Sequence, residues 1–221
     1  MRLTIFAATG GIGRQLVDQA TAAGHQVTAV VRDPRRLPSG VRAVTADLSA
    51  PDPAALKDAV SGADAVLSAL GPRTTADAGI TAPGTRAIVA AMAATGVHRI
   101  VVVSAAPVAT VPSPGRPHPP RHDPGDGLFM RYVAGPLVKA ALRKHYDDLA
   151  VMEDVLRDSS LHWTSVRPPR LTDGPRTPAY RTALGRNIRG GVTVSRADVA
   201  HCMLDALARP ETVGQTVGIA R

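Results

Sequence analysis

The sequence predicts a single-domain α/β fold, a doubly wound and mostly parallel sheet covered by helices on both faces. Three observations carry that prediction. Short apolar, β-branched runs alternate with helix-length segments over the first half of the chain, the pattern of a parallel sheet. The first run feeds a glycine turn that opens a helix, Ala8-Thr9-Gly10-Gly11-Ile12-Gly13. The length of 221 residues is most simply one domain with a sizeable core.

Taken in order, residues 2–7 read as a short buried strand and residues 14–23 as the helix after the turn. Residues 27–31 form a β-branched second strand after Gly24, closed by Arg32-Asp33-Pro34. A third strand spans 41–46, followed by Asp47, and a helix spans 53–60 with Asp52 as its N-cap. Residues 65–70 are a fourth strand ending at Gly71-Pro72. An alanine-rich helix over 81–95 closes at Gly96, and residues 99–104 are the most apolar strand in the chain. Each crossover is expected to be right-handed.

Regularity breaks after Ser104. Residues 107–127 hold seven prolines and three glycines, a segment expected to serve as a lid or binding loop. Residues 128–145 regain partial helical character, interrupted at Gly135-Pro136. Residues 146–158 are a cleaner helix with Leu149, Met152, Val155 and Leu156 on one face. A strand over 163–166 ends at Arg167-Pro168-Pro169-Arg170. The final helix spans 196–208, with Ser195 as N-cap and Asp198 completing a capping-box variant, and residues 215–219 form a last strand.

Composition narrows the function classes. The net charge of +8 and pI near 10.7 invite a nucleic-acid partner, but the basic residues are dispersed and aromatic residues make up only 3%. A solvated basic surface that steers anionic ligands is the better reading. No apolar run is long enough to cross a bilayer, and the chain enters a strand directly after Met1, so neither membrane nor leader is expected. Cys202 is the only cysteine and fits a reducing cytoplasm. His118, His122 and Asp123 lie close in sequence, yet no matching ligand pair stands elsewhere, so no metal is expected.

Five motifs occur in order: Ala7-Ala8-Thr9-Gly10-Gly11-Ile12-Gly13, Val30-Val31-Arg32-Asp33-Pro34, Asp47-Leu48, Val101-Val102-Val103-Ser104-Ala105 and Val166-Arg167-Pro168-Pro169. Together they resemble the atypical short-chain dehydrogenase/reductase group, in particular its NmrA-like and biliverdin reductase B-like (flavin reductase-like) members. The resemblance implies a Rossmann-type sheet with NADP(H) lying across the carboxyl ends of its strands. Two departures stand out. Ala7 replaces the first glycine of the family's usual turn, so the turn is expected to keep a negative φ there. The Tyr-x-x-x-Lys pair of ordinary short-chain dehydrogenases is missing: Pro136, Ala150 and Leu184 stand four residues after Tyr132, Tyr146 and Tyr180.

The candidate site follows residue by residue. Thr9, Gly10, Gly11, Ile12 and Gly13 would offer N–H groups to a pyrophosphate. Arg32, at the end of the second strand, suits a 2′-phosphate, so NADP(H) is expected over NAD(H), with Asp33 a turn initiator before Pro34. Asp47 and Leu48 resemble the pair that meets the adenine, and for Asp47 a cap or turn role competes. Ala69, Leu70 and Gly71 either flank the cofactor or simply end a strand. By the resemblance, Ser104 neighbours the nicotinamide and helps orient substrate, and Pro168 walls the same end. Arg170 stands where related proteins carry a histidine; it suits an anionic substrate group, or is a surface arginine. His145 is a candidate proton donor at the site's edge, or an exposed helix-end residue. The expected activity is an NADP(H)-dependent reductase of a flavin, quinone or enone, working as a monomer or homodimer on a small-molecule substrate. A non-catalytic NADP(H) sensor and an epimerase or tailoring enzyme on the same fold are the alternatives.

Overall fold

In the computed structural model, which describes residues 1–72, 78–127, 140–177 and 179–221, β1 (Arg2–Phe6) lies between two parallel partners. These are β2 (Gln26–Val31) and β4 (Ala65–Ser68). Outward from β2 comes β3 (Arg42–Thr45). Outward from β4 come β5 (Arg99–Val103), β6 (His162–Arg167), β10 (Gln215–Ala220) and β8 (Arg181–Leu184). Only β8 in this eight-stranded sheet runs antiparallel to its neighbour. A separate parallel pair joins β7 (Arg170–Thr172) to β9 (Thr193–Ser195). The strand order reverses between β1 and β4, and that switch point opens a crevice at the carboxyl ends.

The apolar strands are buried on both sides, and alternation assigns each residue a face. Leu3 and Ile5 of β1, Ala29 and Val31 of β2, and Val101 and Val103 of β5 pack against α1 (Gly11–Ala22) and α5 (Arg196–Asp205). Phe6, Val30, Val66, Ile100 and Val102 face α2 (Pro53–Val60), α3 (Thr81–Thr95) and α4 (Arg143–Arg157). Fully burying each such side chain stabilises the fold by roughly 1.5–3 kcal/mol. Thr4 breaks the apolar pattern on the second face, and its hydroxyl donates to the Ala59 carbonyl at 2.7 Å, which fixes α2 on the sheet.

The predicted α/β architecture is the observed one, and the differences are local. α1 begins at Gly11, inside the glycine turn, and α4 begins at Arg143. The break at Gly135-Pro136, Tyr132 and the rest of 128–139 lie outside the described residues. Asp52 caps α2 by accepting from Ala54 N–H at 2.9 Å, as expected. Ser195 caps α5, accepting from Asp198 N–H at 2.9 Å, but the capping box is only half made. The Asp198 carboxylate turns instead to the N–H and hydroxyl of Thr177. The strands β7, β8 and β9 were not predicted; each has only three or four residues.

Residues 107–127 are not structureless. A 3-10 turn at Ala106–Thr110 buries Val108 and Ala109, and Val111 is buried behind it. The Ser113 hydroxyl and Gly115 N–H both donate to Asp154 of α4 at 2.9 Å. Asp123 accepts from Gly125 N–H and Asn187 N–H at 2.8 Å. A Cβ on Gly125 would sit 1.9 Å from the Asn187 carbonyl oxygen, so glycine is what lets the two segments meet. Among the described residues, no helix is long and apolar enough to cross a membrane.

Candidate functional site

The glycine turn leaves β1 through Ala7, and here the structure corrects the sequence. Ala7 has φ 56°, and it is the only non-glycine with positive φ among the described residues. Its carbonyl explains the strain. That oxygen accepts from Gly10 N–H at 2.9 Å, and a Cβ on Gly13 would lie 2.1 Å from it. The turn is therefore so tight that Gly13 packs directly on the Ala7 peptide, joining helix to strand. Gly10 precedes α1 without any side-chain cap, and the first turn of α1 contains no acidic residue. The N–H groups of Gly11, Ile12 and Gly13 open α1 without a capping oxygen, beside a small, glycine-lined approach. That is what a diphosphate requires.

Beyond the turn, a cavity runs along the carboxyl ends of β1 to β4. It is lined by Ala7 and Thr9, by Val31 and Arg32 from the end of β2, by Asp47 and Leu48 after β3, and by Leu70 and Gly71 after β4. The structure thus brings together most of the residues expected to hold the adenosine half of a dinucleotide. Asp47 settles into an Asx turn, its Oδ1 accepting from Ser49 N–H at 2.9 Å and Ser49 Oγ at 2.8 Å. These two bonds, and then the nearby Arg32 charge, hold its carboxyl below the usual carboxylate range. Asp33 makes a different commitment. It caps the turn that follows, and it forms a two-point pair with Arg35 at 3.0 and 3.1 Å. Arg32 stays exposed, so its charge remains available at the cavity rim.

At the other end of the crevice, Ser104 N–H donates to the Val166 carbonyl at 2.7 Å, and Ala106 N–H donates to Pro168 at 2.8 Å. Those bonds place Ser104 and Pro168 side by side past the ends of β5 and β6. Ser104 Oγ is buried and has no hydrogen-bond partner of normal geometry among the described residues, although the Glu153 carboxylate lies near it. Glu153 of α4 is itself buried and takes a two-point bond from Arg167, a third from Ser165 Oγ and a fourth from Arg157 Nη2 at 3.2 Å. Burial pushes its carboxyl up, but the Arg167 bonds and charge outweigh burial and hold it low.

His145 lies half-buried in the first turn of α4, with Nδ1 buried and unpartnered among the described residues. Burial pushes the ring below its ordinary pKa of 6.5, against a smaller opposing effect of Asp148, so it is neutral at pH 7. Arg170 opens β7 with an exposed side chain. No contact joins either residue to Ser104 among the described hydrogen bonds and ion pairs. Tyr146 is packed in the core, and Ala150 one turn later is buried, so no lysine stands beside that phenol. His118 and His122 are exposed, and no group of three or more His, Cys, Asp or Glu among the described residues could hold a metal. Burial pushes the Cys202 thiol up to about 12, which removes it as a nucleophile.

A family model described as NAD(P)H-binding matches residues 7–210, from the turn to just past the last helix. The chain belongs to the NAD(P)H-binding family. A short-chain dehydrogenase/reductase from Veillonella parvula, solved in complex with NADP, superposes with a TM-score of 0.80 at 18% identity. That alignment covers 100% of this chain and 94% of the other. A candidate NADH-flavin reductase from Streptococcus pneumoniae gives a TM-score of 0.76 at 25% identity over 100% of this chain and 99% of that one. In sequence, a 3-diazoavenalumate denitrifying reductase from a Streptomyces species is 48% identical over 63 residues, 28% of this chain and 20% of that protein. An uncharacterised protein from Mycobacterium tuberculosis is 35% identical over 105 residues, 47% of this chain and only 12% of its own length.

Two features of this NAD(P)H-binding chain escaped the sequence. Arg196, the first residue of α5, lays its stem over Gly11: a Cβ there would lie 2.5 Å from the Arg196 Cδ. Its guanidinium pairs with the exposed Asp173 at 2.5 Å, beside the start of α1. A cation at a helix N-terminus opposes the helix dipole, and that mismatch was the available signal. Asp148 is the second. From α4 it accepts Thr81 N–H at 2.8 Å and Ala82 N–H at 2.9 Å, so it caps α3 across the core face in place of a local cap.

Proposed function

We propose that this chain is an NADP(H)-dependent reductase of a small planar or conjugated substrate, of the flavin, quinone or enone class. The observation that carries the reading is Arg32. It lines the adenosine-side cavity and is exposed, while the adjacent Asp33, which could serve ribose hydroxyls, is paired with Arg35. An exposed arginine fork suits a 2′-phosphate. The solved relatives point both ways by name, one holding NADP and one termed an NADH-flavin reductase, so the preference rests on Arg32.

In this reading Thr9 to Gly13 bind the diphosphate through backbone N–H groups, with Arg196 adding charge beside Gly11. Asp47 and Leu48 border the adenine, while Ala69, Leu70 and Gly71 flank the ribose side. The bound nicotinamide supplies the hydride. Ser104, with its hydroxyl beside the Glu153 carboxylate, orients the substrate, and Pro168 walls that end against water. Arg170 offers an anion contact at the mouth. The sequence holds no Tyr-x-x-x-Lys pair, and in this reading the proton comes from solvent. His145, neutral at pH 7, is a weak donor at the edge. This combination suits acceptors that take a hydride into a conjugated system and collect a proton from water, rather than simple ketones.

Single-turnover mixing of the NADPH-loaded protein with flavin mononucleotide, a quinone and an enone tests the proposal. Loss of the reduced-nicotinamide absorbance with at least one acceptor is expected, slowed in Ser104→Ala. Tight NADPH binding with no oxidation by any acceptor would replace the reductase by the non-catalytic sensor.

A further inference from the structure

Beneath the proline-rich segment lies a second cavity of about 390 Å³ that the cofactor reading does not use. Ala109, Arg116 and Asp123 line it from that segment, Arg157 from α4, Arg167 from β6 and Thr216 from β10. None of its lining residues borders the cofactor-side cavity. Three arginines therefore line one half-open space at the outer part of the sheet.

Two of the carboxylates around this space are paired with arginine, and the third is held through one oxygen. Glu153 takes Arg167 Nε and Nη2 and the Ser165 hydroxyl. Asp154 takes Arg157 Nη1, Ser113 Oγ and Gly115 N–H. Asp123 turns Oδ1 to the backbone N–H groups of Gly125 and Asn187. Among the described residues this leaves Arg167 Nη1 and Arg157 Nε without a hydrogen bond, and the Arg116 guanidinium with no bonded acceptor. Arg116 is also partly buried and crowded by like charge. Burial first, and then the neighbouring Arg167 and Arg157, push its guanidinium below the ordinary value, opposed more weakly by Glu153 and Asp123.

We propose that this cavity is an oxyanion site, taking the carboxylate or phosphate group of a small ligand with Arg116 as its principal contact. A half-buried arginine beside two others has donors to spare and repulsion to relieve. An oxyanion in the cavity answers both, because the planar guanidinium fork matches carboxylate and phosphate oxygens in pairs. The three nearby carboxylates balance the three guanidinium groups when the cavity is empty, which lets the fold tolerate the cluster. Their oxygens are fixed by backbone N–H groups, by Ser113 and Ser165, and by the two paired arginines. The segment over 107–127 is then the roof of a binding cavity, held to α4 through Asp154 and to residue 187 through Asp123.

The test is calorimetric titration of the full chain with inorganic phosphate and, separately, with citrate. Each probe is run with and without saturating NADPH, and in Arg116→Ala, Arg116→Lys and Arg32→Ala variants. Saturable binding of at least one probe is expected, weakened about tenfold or more in Arg116→Ala and partly restored in Arg116→Lys, as loss of charge-assisted hydrogen bonds requires. Arg32→Ala and NADPH should leave it unchanged. Preference for citrate assigns a carboxylate ligand and preference for phosphate a phosphorylated one. The proposal is overturned if neither probe binds, if Arg116→Ala binds as the parent does, or if NADPH or Arg32→Ala abolishes binding, which would put the anion in the cofactor cradle. Failure of NADPH itself to bind would count against the reductase reading alone, since the Arg116 comparison is made in its absence too. The Arg116 guanidinium makes no hydrogen bond among the described residues, its backbone bonds with Ser113 survive substitution, and matching thermal unfolding confirms that each variant is folded.

Discussion

Ala7 concentrates the residue-scale lesson. An L-residue at φ 56° costs roughly 1–2 kcal/mol, and here that strain is set by a carbonyl that must meet both Gly10 and Gly13. Replacing Ala7 by glycine removes the strain and adds unfolded-state entropy, so Ala7→Gly should stabilise the chain by about 1 kcal/mol net. Denaturant unfolding checks it, and a loss of stability would mean that the turn needs the alanine methyl. The glycine turn was legible as a turn, but its backbone angle was not. A sequence shows that Ala replaces Gly; only the close approach of Gly13 shows that the left-handed angle survives the replacement. Arg32 and Asp47 were legible because strand ends of this fold fall at readable apolar boundaries. Arg196 and Arg116 were not, since their neighbours come from distant segments.

At the scale of elements, the core helices are joined by carboxylates that no local pattern encodes. Asp148 caps α3 from α4, across 66 and 67 residues of chain. Asp148→Ala should destabilise the fold by about 1–2 kcal/mol, the value of a lost N-cap, and thermal unfolding against the exposed control Asp147→Ala measures it. Glu153 gives a pH prediction. Its folded pKa lies below the ordinary glutamate value of 4.5, so its contribution to stability is complete above that pH and is lost as pH falls toward the folded value. Glu153→Gln should therefore flatten the acid limb of a stability–pH profile while lowering stability at neutral pH, because Arg167 is left buried with a weakened partner. An unchanged acid limb would remove Glu153 from the account. The strands β7, β8 and β9 were missed because three or four residues carry no period, and the proline-rich segment because its anchors on Asp154 and Asn187 lie far along the chain.

For the whole molecule, strand order decides where function can sit. The sheet reverses between β1 and β4, and the cradle, the Arg32 rim and the Ser104–Pro168 end all lie along the carboxyl edge that this reversal opens. That much follows from alternating strands and helices and was readable in advance. The substrate of the proposed reduction was not readable, because the end of the crevice proposed to hold it, at Ser104 and Pro168, is joined to loops whose spacing records no shape. The most direct test of the central claim is a titration of NADPH and NADH into the parent chain and Arg32→Glu. The account predicts tighter NADPH binding in the parent, by about tenfold or more, with that preference lost or inverted in Arg32→Glu while NADH affinity changes little. Equal affinities in the parent, or equal weakening of both cofactors in the variant, would contradict it.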